Sequence, residues 1–326
     1  TIQKKRTRRG VEGKRMCIRG GGGFIGSRLI RRLVENNEIV VYDTFDRDAL
    51  TGLGLADHPN LKVVKGDVLD VASLGDAIAG ANIVVHCAGV AGIDTVIKKP
   101  TRTMAVNMIG SANVLEAASK LPDCTRVVCF STSEVFGQHA IGATETDKTV
   151  IGAVGEARWT YAVSKLAEEH LAIAYFKERG LPTVVVRPFN VYGPRQVGEG
   201  ALKIFIQRAL AGEPLQIHGD GTQIRAWCYV DDMVDGVLLA ISHPNAVGES
   251  FNIGNQRSIE TIFGLANTVV RVLDSSAPIE FIKKDYADVE LRIPSVAKAR
   301  DLLGFDAKIS LEEGIRRTAE AFRGAT

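Results

Sequence analysis

A chain of 326 residues with 45% apolar and 24% charged side chains has the make-up of a folded globular protein, large enough for a substantial core and two lobes. No apolar run approaches the length that spans a bilayer, and the N-terminus lacks the apolar centre of a signal peptide, so a cytoplasmic protein with no membrane partner is expected. The five cysteines, an odd number, and six histidines without metal-ligand spacing exclude a disulfide framework and predict that no metal is bound.

The chain opens on a basic arm, residues 1–14. Its first fifteen residues hold Lys4, Lys5, Arg6, Arg8, Arg9, Lys14 and Arg15 against only Glu12, so the remainder of this +2 chain is mildly acidic. With no aromatic residue to stack on a base, the arm reads as a disordered, solvated extension, and no nucleic-acid partner is expected.

Residues 16–19 have strand character and run into Gly20-Gly21-Gly22-Gly23-Phe24-Ile25-Gly26, after which 24–36 has helical spacing. Such a turn lets the backbone approach a pyrophosphate and aims a helix N-terminus at it. The next strand, 38–43, ends in Asp43, 17 residues after Gly26, where a carboxylate can accept from ribose hydroxyls. Strand, glycine turn, helix and acidic strand end together predict dinucleotide binding.

Strand 61–65 leads into Gly66-Asp67-Val68, helix 70–78 follows, and strand 82–87 runs into Ala88-Gly89. Helix 101–119 contains Asn107. Strand 126–131 delivers Thr132, Ser133 and Glu134 at its C-terminal end, the end at which open parallel sheets bind ligands. Helix 158–179 carries Tyr161 and Lys165 four residues apart, hence on one face. A phenol of pKa near 10 is a poor base at neutral pH, but a nearby ammonium favours the phenolate and moves its pKa toward the working range.

Strand 182–187 completes an alternation that predicts a doubly wound parallel α/β sheet with right-handed crossovers. Beyond Pro188 the pieces shorten. Helices near 200–212, 230–242, 259–272 and 311–323, separated by Pro- and Gly-containing loops, read as a smaller lobe closing over the cleft.

These residues in this order resemble the extended short-chain dehydrogenase/reductase family, the nucleotide-sugar epimerases, dehydratases and decarboxylases, over nearly the whole chain. The motifs are G-x-x-G-x-x-G at Gly20, Gly23 and Gly26, Y-x-x-x-K at Tyr161 and Lys165, the segment from Asn107 to Ala117, Arg187-Pro188-Phe189-Asn190-Val191-Tyr192-Gly193-Pro194-Arg195, and Gly219 to Arg225. The resemblance implies a Rossmann-type NAD-binding domain, 15–188, and a mixed α/β nucleotide-sugar-binding lobe, 189–326, with interleaved boundaries. It implies NAD as cofactor, with Gly20, Gly23, Phe24, Ile25 and Gly26 along the pyrophosphate, Asp43 at the adenine ribose, and Asp67 and Val68 at the adenine. Ala88, Gly89 and Asn107 complete that site. Asp43 favours NAD over NADP because a carboxylate repels a 2′-phosphate; Arg47 nearby weakens that preference.

In the reaction the resemblance implies, Tyr161 removes a sugar hydroxyl proton while hydride leaves C4. Lys165 holds the nicotinamide ribose and depresses the Tyr pKa, and Thr132 or Ser133 steadies the developing alkoxide. Asn190 and Arg225 grip the substrate diphosphate, with Arg195 as a further substrate contact. Lys284 or Arg292 stands in for the Arg that the family carries where this chain has Asp285-Tyr286-Ala287-Asp288. A homodimer is also implied, through a four-helix bundle of 101–119 and 158–179.

Glu134 separates the members best. Simple 4-epimerases need no second acid or base, whereas decarboxylases carry Thr-Ser-Glu, as Thr132-Ser133-Glu134 does here. The stretch Gly152-Ala153-Val154-Gly155-Glu156-Ala157-Arg158-Trp159-Thr160-Tyr161 is similar to the Gly-x-Val-x-x-x-Arg-Trp-x-Tyr of UDP-glucuronate decarboxylases, and Arg225-Ala226-Trp227 to the Arg-Ala-Phe of xylose synthases. Oxidation at C4 makes a β-keto acid from which C6 leaves readily as carbon dioxide. UDP-glucuronate decarboxylation is therefore placed ahead of 4-epimerisation, with dehydration third and a non-catalytic dinucleotide-binding regulator as the alternative of another class. Arg19 stands where the family has Thr, and Phe136 where it has Tyr.

Overall fold

Period-2 alternation of small and branched apolar residues along successive strands, with both faces apolar, is the pattern of a parallel sheet covered by helices on each side. The computed structural model, which describes residues 11–55, 57–283 and 290–324, has this architecture. Of the basic arm, residues 1–10 lie outside the described residues, as does Lys284. Strands β1 (Arg15–Arg19), β2 (Glu38–Asp43), β3 (Leu61–Lys65), β4 (Ile83–His86), β5 (Arg126–Phe130), β7 (Thr183–Pro188) and β12 (Ser250–Ile253) form one sheet in the order β12-β7-β5-β4-β1-β2-β3. All of its pairings are parallel.

Ile18, Val41, Val85, Val128 and Val184 face one side of this sheet and pack against α1 (Phe24–Leu33) and a later helix, 230–242, through Leu29, Ile30, Met233 and Val237. Cys17, Val40, Val84, Val127 and Val185 face the other side, covered by α2 (Val71–Ile78), α5 (Gly110–Ser119) and α6 (Thr160–Arg179). The predicted continuous helix 101–119 is broken into α4 (Pro100–Met104), a π-helical turn Ala105–Ile109 that holds Asn107, and α5. A π turn shifts the register of the helix by one residue, and here it turns Asn107 inward among the strand ends. The helix α3 (Ile93–Lys98) precedes this group.

Past β7 the chain builds the second lobe around Tyr192, Phe205, Ile217, Trp227, Leu265 and Ile315. Its elements include β8 (Val191–Tyr192), α7 (Ala201–Ala211), β9 (Leu215–His218), β10 (Ile224–Ala226), β11 (Cys228–Tyr229), α9 (Ile262–Leu273), β14 (Ile279–Ile282) and α11 (Leu311–Arg323). Residues 259–261, expected to start a helix, form strand β13 (Ile259–Thr261) antiparallel to β10, and Thr261 then caps α9 through its hydroxyl. Strands β13, β10, β15 (Leu291–Pro294) and β6 (His139–Ala143) make a four-stranded mixed sheet. Between β11 and β13 the chain returns to the first layer: α8 (Val230–Ser242) packs on the large sheet and β12 is its seventh strand, followed later by α10 (Ala297–Leu303). Among the described residues no helix is long and apolar enough to cross a membrane.

Candidate active site

At the C-terminal ends of β1, β2 and β4 the backbone is drawn together by residues that lack side chains. Gly20 has φ +75°, and a β-carbon there would overlap the backbone of Cys87 and Ala88; one on Gly26 would lie 2.5 Å from the Gly20 carbonyl. Helix α1 is capped by Gly23 with no side-chain hydrogen bond and has no acidic residue in its first turn, so the N–H groups of Phe24 and Ile25, which have no intrahelical acceptor, are left for an anion. Asp43 accepts from Gly22 N–H and Phe45 N–H, each at 2.9 Å, and so ties the glycine turn to the end of β2. Burial raises its pKa against these two bonds. This cradle, with a carboxylate at the second strand end, fits a dinucleotide.

Arg47 is turned away from that carboxylate. Its guanidinium donates to Ala91 O at 3.1 Å and Thr95 Oγ1 at 2.9 Å, clamping the loop after β4, so it does not offset the preference that Asp43 sets. Tyr42 donates to the carbonyl of Asp67, whose carboxylate pairs with Arg102, and Val68 is buried beside Gly110. Arg19 is fully buried with its guanidinium 3.9 Å from the centre of the Tyr42 ring, and its three side-chain nitrogens have no hydrogen-bond partner among the described residues. Burial lowers its pKa.

The loop after β5 brings up the reacting groups. Thr132 Oγ1 accepts from Glu134 N–H at 3.2 Å and caps the short turn Ser133–Phe136, which leaves its own proton free to donate, and its hydroxyl lowers the pKa of the nearby Tyr161 phenol. Ser133 is buried within the turn. On α6, Tyr161 and Lys165 lie one above the other. Ser164 between them is held by Asn107, whose side-chain amide also donates to Val90 O at 3.0 Å and accepts from Val90 N–H at 2.7 Å. Asn107 therefore fixes the loop of Ala88 and Gly89, and a β-carbon on Gly89 would sit 3.2 Å from Lys165 Nζ. The Tyr161 pKa lies above the ordinary phenol value: burial raises it more than Lys165 pulls it down, and Glu134 and Glu168 add to the rise. That differs from the expectation of a depressed pKa, because the phenol is buried and carboxylates that the four-residue spacing does not reveal offset part of the lysine's charge.

Beyond Tyr161 a cleft of about 480 Å³ opens between the lobes. Glu134 lines it, bonded to Arg158 at 2.6 and 3.4 Å and 3.6 Å from an Arg292 nitrogen; all three side chains are largely buried. Arg225 on β10 and Arg292 on β15 are register partners in neighbouring strands, so both guanidiniums come up on the same face. Asn190 lines the cleft with a left-handed backbone, φ +36°, its amide donating to Ala226 O at 2.9 Å. Arg195 does not join them: it has φ +63° and lies against Gly52, outside the lining of the cleft.

Arg158 is the site residue that motif reading passed over. The ten-residue motif acquires a physical basis here: Gly152 leaves room for the indole of Trp159, which donates to Glu156 at 2.8 Å, while Arg158 reaches Glu134. Gln196, Arg208, Gln216, His218 and Gln223 also line the cleft; scattered polar residues of this kind carry no sequence signal. Among the described lining residues four arginines, Arg158, Arg208, Arg225 and Arg292, face two glutamates, Glu134 and Glu199, so the cleft favours an anionic ligand. No group of three or more His, Cys, Asp or Glu side chains among the described residues is placed to hold a metal ion.

Comparison with known proteins agrees with this geometry. A model described as the NAD dependent epimerase/dehydratase family matches residues 16–254. The UDP-N-acetyl-alpha-D-glucosaminuronate decarboxylase of Bacillus cytotoxicus is 32% identical over 326 residues, covering 95% of this chain and 98% of its own length. UDP-glucuronic acid decarboxylase 3 of Arabidopsis thaliana is 34% identical, covering 95% of this chain and 89% of its own. Among solved structures, the UDP-glucuronic acid 4-epimerase of Bacillus cereus, in complex with UDP-glucuronic acid and NAD, superposes with a TM-score of 0.88 at 27% identity, over 96% of this chain and 100% of that one.

Proposed function

The chain belongs to the NAD-dependent epimerase/dehydratase family, and from that premise we propose that it decarboxylates a nucleotide-diphosphate hexuronic acid, UDP-glucuronate being the leading candidate. The observation that carries the reading is the clamp of Arg158 and Arg292 on Glu134, whose charge is felt by Tyr161, in a cleft where four arginines face two glutamates. A uronic acid linked to a diphosphate is anionic at both ends, and planar guanidiniums match carboxylate and phosphate oxygens.

Bound NAD supplies hydride acceptance and return at its nicotinamide. Tyr161 takes the C4 hydroxyl proton as C4 is oxidised, leaving a 4-keto sugar acid. The C5–C6 bond then breaks, C6 departs as carbon dioxide, and the electron pair moves into an enolate whose oxygen is held by Tyr161 and Thr132. Glu134, kept ionic by Arg158, orients the water that protonates C5. Asn190 and Arg225 hold the diphosphate, Lys165 the ribose, and Asp43 the adenosine end.

A second reading, 4-epimerisation of the same acid, is favoured by the likeness to the Bacillus cereus enzyme. It keeps the carboxylate that the first reading expels. A panel of UDP-glucuronate, its N-acetylated counterpart and UDP-glucose separates substrate classes: turnover is expected with a sugar acid and to fall by about 100-fold or more with UDP-glucose, which offers the clamp no carboxylate. Equal rates with UDP-glucose would remove the clamp as the specificity element. The protein is also read as a cytoplasmic homodimer. In support, all five cysteines are free, and the apolar Ile109 and Val163, 50% and 40% exposed, lie on the π turn and α6 that the dimer would bury.

A further inference from the structure

Lys165 and Glu168 form an ion pair in the interior. Nζ lies 2.7 Å from Oε2, the two side chains are 4% and 0% exposed, and they stand three residues apart on α6. The neighbouring Glu169 is committed elsewhere, to Arg187 at 2.5 Å and Ser250 at 2.8 Å, so of two adjacent glutamates only Glu168 serves the lysine.

None of the other groups around Nζ carries a negative charge at neutral pH. From α6 comes Tyr161, whose pKa burial raises. From the end of β4 and the residue after it come His86, driven neutral by burial, then by Lys165 and Arg19, and bonded to Ser111 at 2.9 Å, and Cys87, pushed up to about 12. From β5 comes Cys129, its thiol pushed well up by burial. A fully buried lysine without a counterion loses its proton, its pKa falling by several units. Burial does pull Lys165 down, and Glu168 and then Tyr161 more than reverse that pull. Glu168 is itself raised to about 6 by burial, against the opposing effect of Lys165.

We propose that Glu168 is a positioning residue for the reaction proposed above: it is the counterion that holds the Lys165 ammonium charged and in place beside Gly89. The i, i+4 motif thus works only with the i, i+3 partner behind it, and the field that Tyr161 feels is that of the pair. The consequence is a pH response. With Glu168 in place Lys165 keeps its proton to higher pH than an ordinary lysine; without it, rising pH discharges the lysine sooner.

The test is Glu168→Gln, which keeps the volume and a hydrogen-bond acceptor but removes the charge. In protein labelled with 13C at lysine Cε, the Lys165 resonance, assigned by its loss in Lys165→Arg, is expected to titrate at least about 2 pH units lower in the Gln variant than in the wild type. In parallel, kcat of the variant is expected to fall with rising pH over a range where the wild type does not fall, and Glu168→Asp to restore most of the wild-type profile. An unchanged Lys165 titration with a rate loss of the same size at every pH would overturn the proposal, leaving Glu168 as packing. If the Gln variant does not fold, a folded Asp variant whose Lys165 titrates as low as predicted for Gln would overturn it equally. The resonance needs no substrate, so failure of the decarboxylase reading leaves this arm readable.

Discussion

Tyr161→Phe is expected to lower turnover about 1,000-fold while NAD binds as before and the melting temperature changes little. The phenol ring keeps its volume, so packing on α6 survives; what is lost is one hydroxyl whose pKa is set by burial and by the neighbouring Lys165, Glu134 and Thr132. Any single hydrogen bond the hydroxyl makes contributes only about 1 kcal/mol net to stability. The pH profile carries the same argument. The phenolate is the working base and burial holds its pKa above the ordinary phenol value, so kcat/KM of the wild type is expected to rise with pH through the neutral and mildly alkaline range, and the residual rate of the Phe variant to lose that rise. A variant that retained a near-normal rate with the wild-type profile would remove Tyr161 as the base.

Glu134→Gln is expected to have the next largest effect. The carboxylate is bonded to Arg158 and lies close to Arg292, and its side chain is only 15% exposed, so neutralising it leaves buried arginines short of their counter-charge. Removing one partner of a buried pair costs about 3–5 kcal/mol, and the melting temperature should drop accordingly. Formation of the reduced UDP-pentose should fall by about 100-fold or more, with oxidation at C4 reduced far less, so that the cycle stalls before C5 is protonated and NADH absorbance accumulates on the enzyme. Unchanged product formation would take away the distinction that Glu134 draws between decarboxylation and simple epimerisation.

The parallel sheet was legible because its signal is local and repeated: apolar strands of four to six residues, each followed by a turn and an amphipathic helix. Its seventh strand was not, because Ser250–Ile253 is four residues long and joins the sheet from the far side of the second lobe, a long-range pairing that no local pattern encodes. Tyr161, Lys165, Thr132 and Glu134 were legible through motif spacing, and the structure assembles them. Arg158 was visible inside a motif without its partner being visible, since Glu134 lies 24 residues upstream. Glu168 was hidden because a glutamate on a long helix ordinarily faces water, and only burial distinguishes it. Arg195 shows the converse: it ends a motif, but its left-handed backbone sends it to Gly52 rather than into the cleft.

The central claim is loss of C6, and the most direct measurement follows that atom. UDP-glucuronate carrying 13C at C6 is incubated with the protein and NAD, and the label is observed by carbon NMR alongside the mass of the nucleotide sugar. The account predicts that label appears in bicarbonate while a UDP-pentose without label accumulates. Label retained in a UDP-hexuronate of unchanged mass and altered C4 configuration would contradict it and make the enzyme an epimerase.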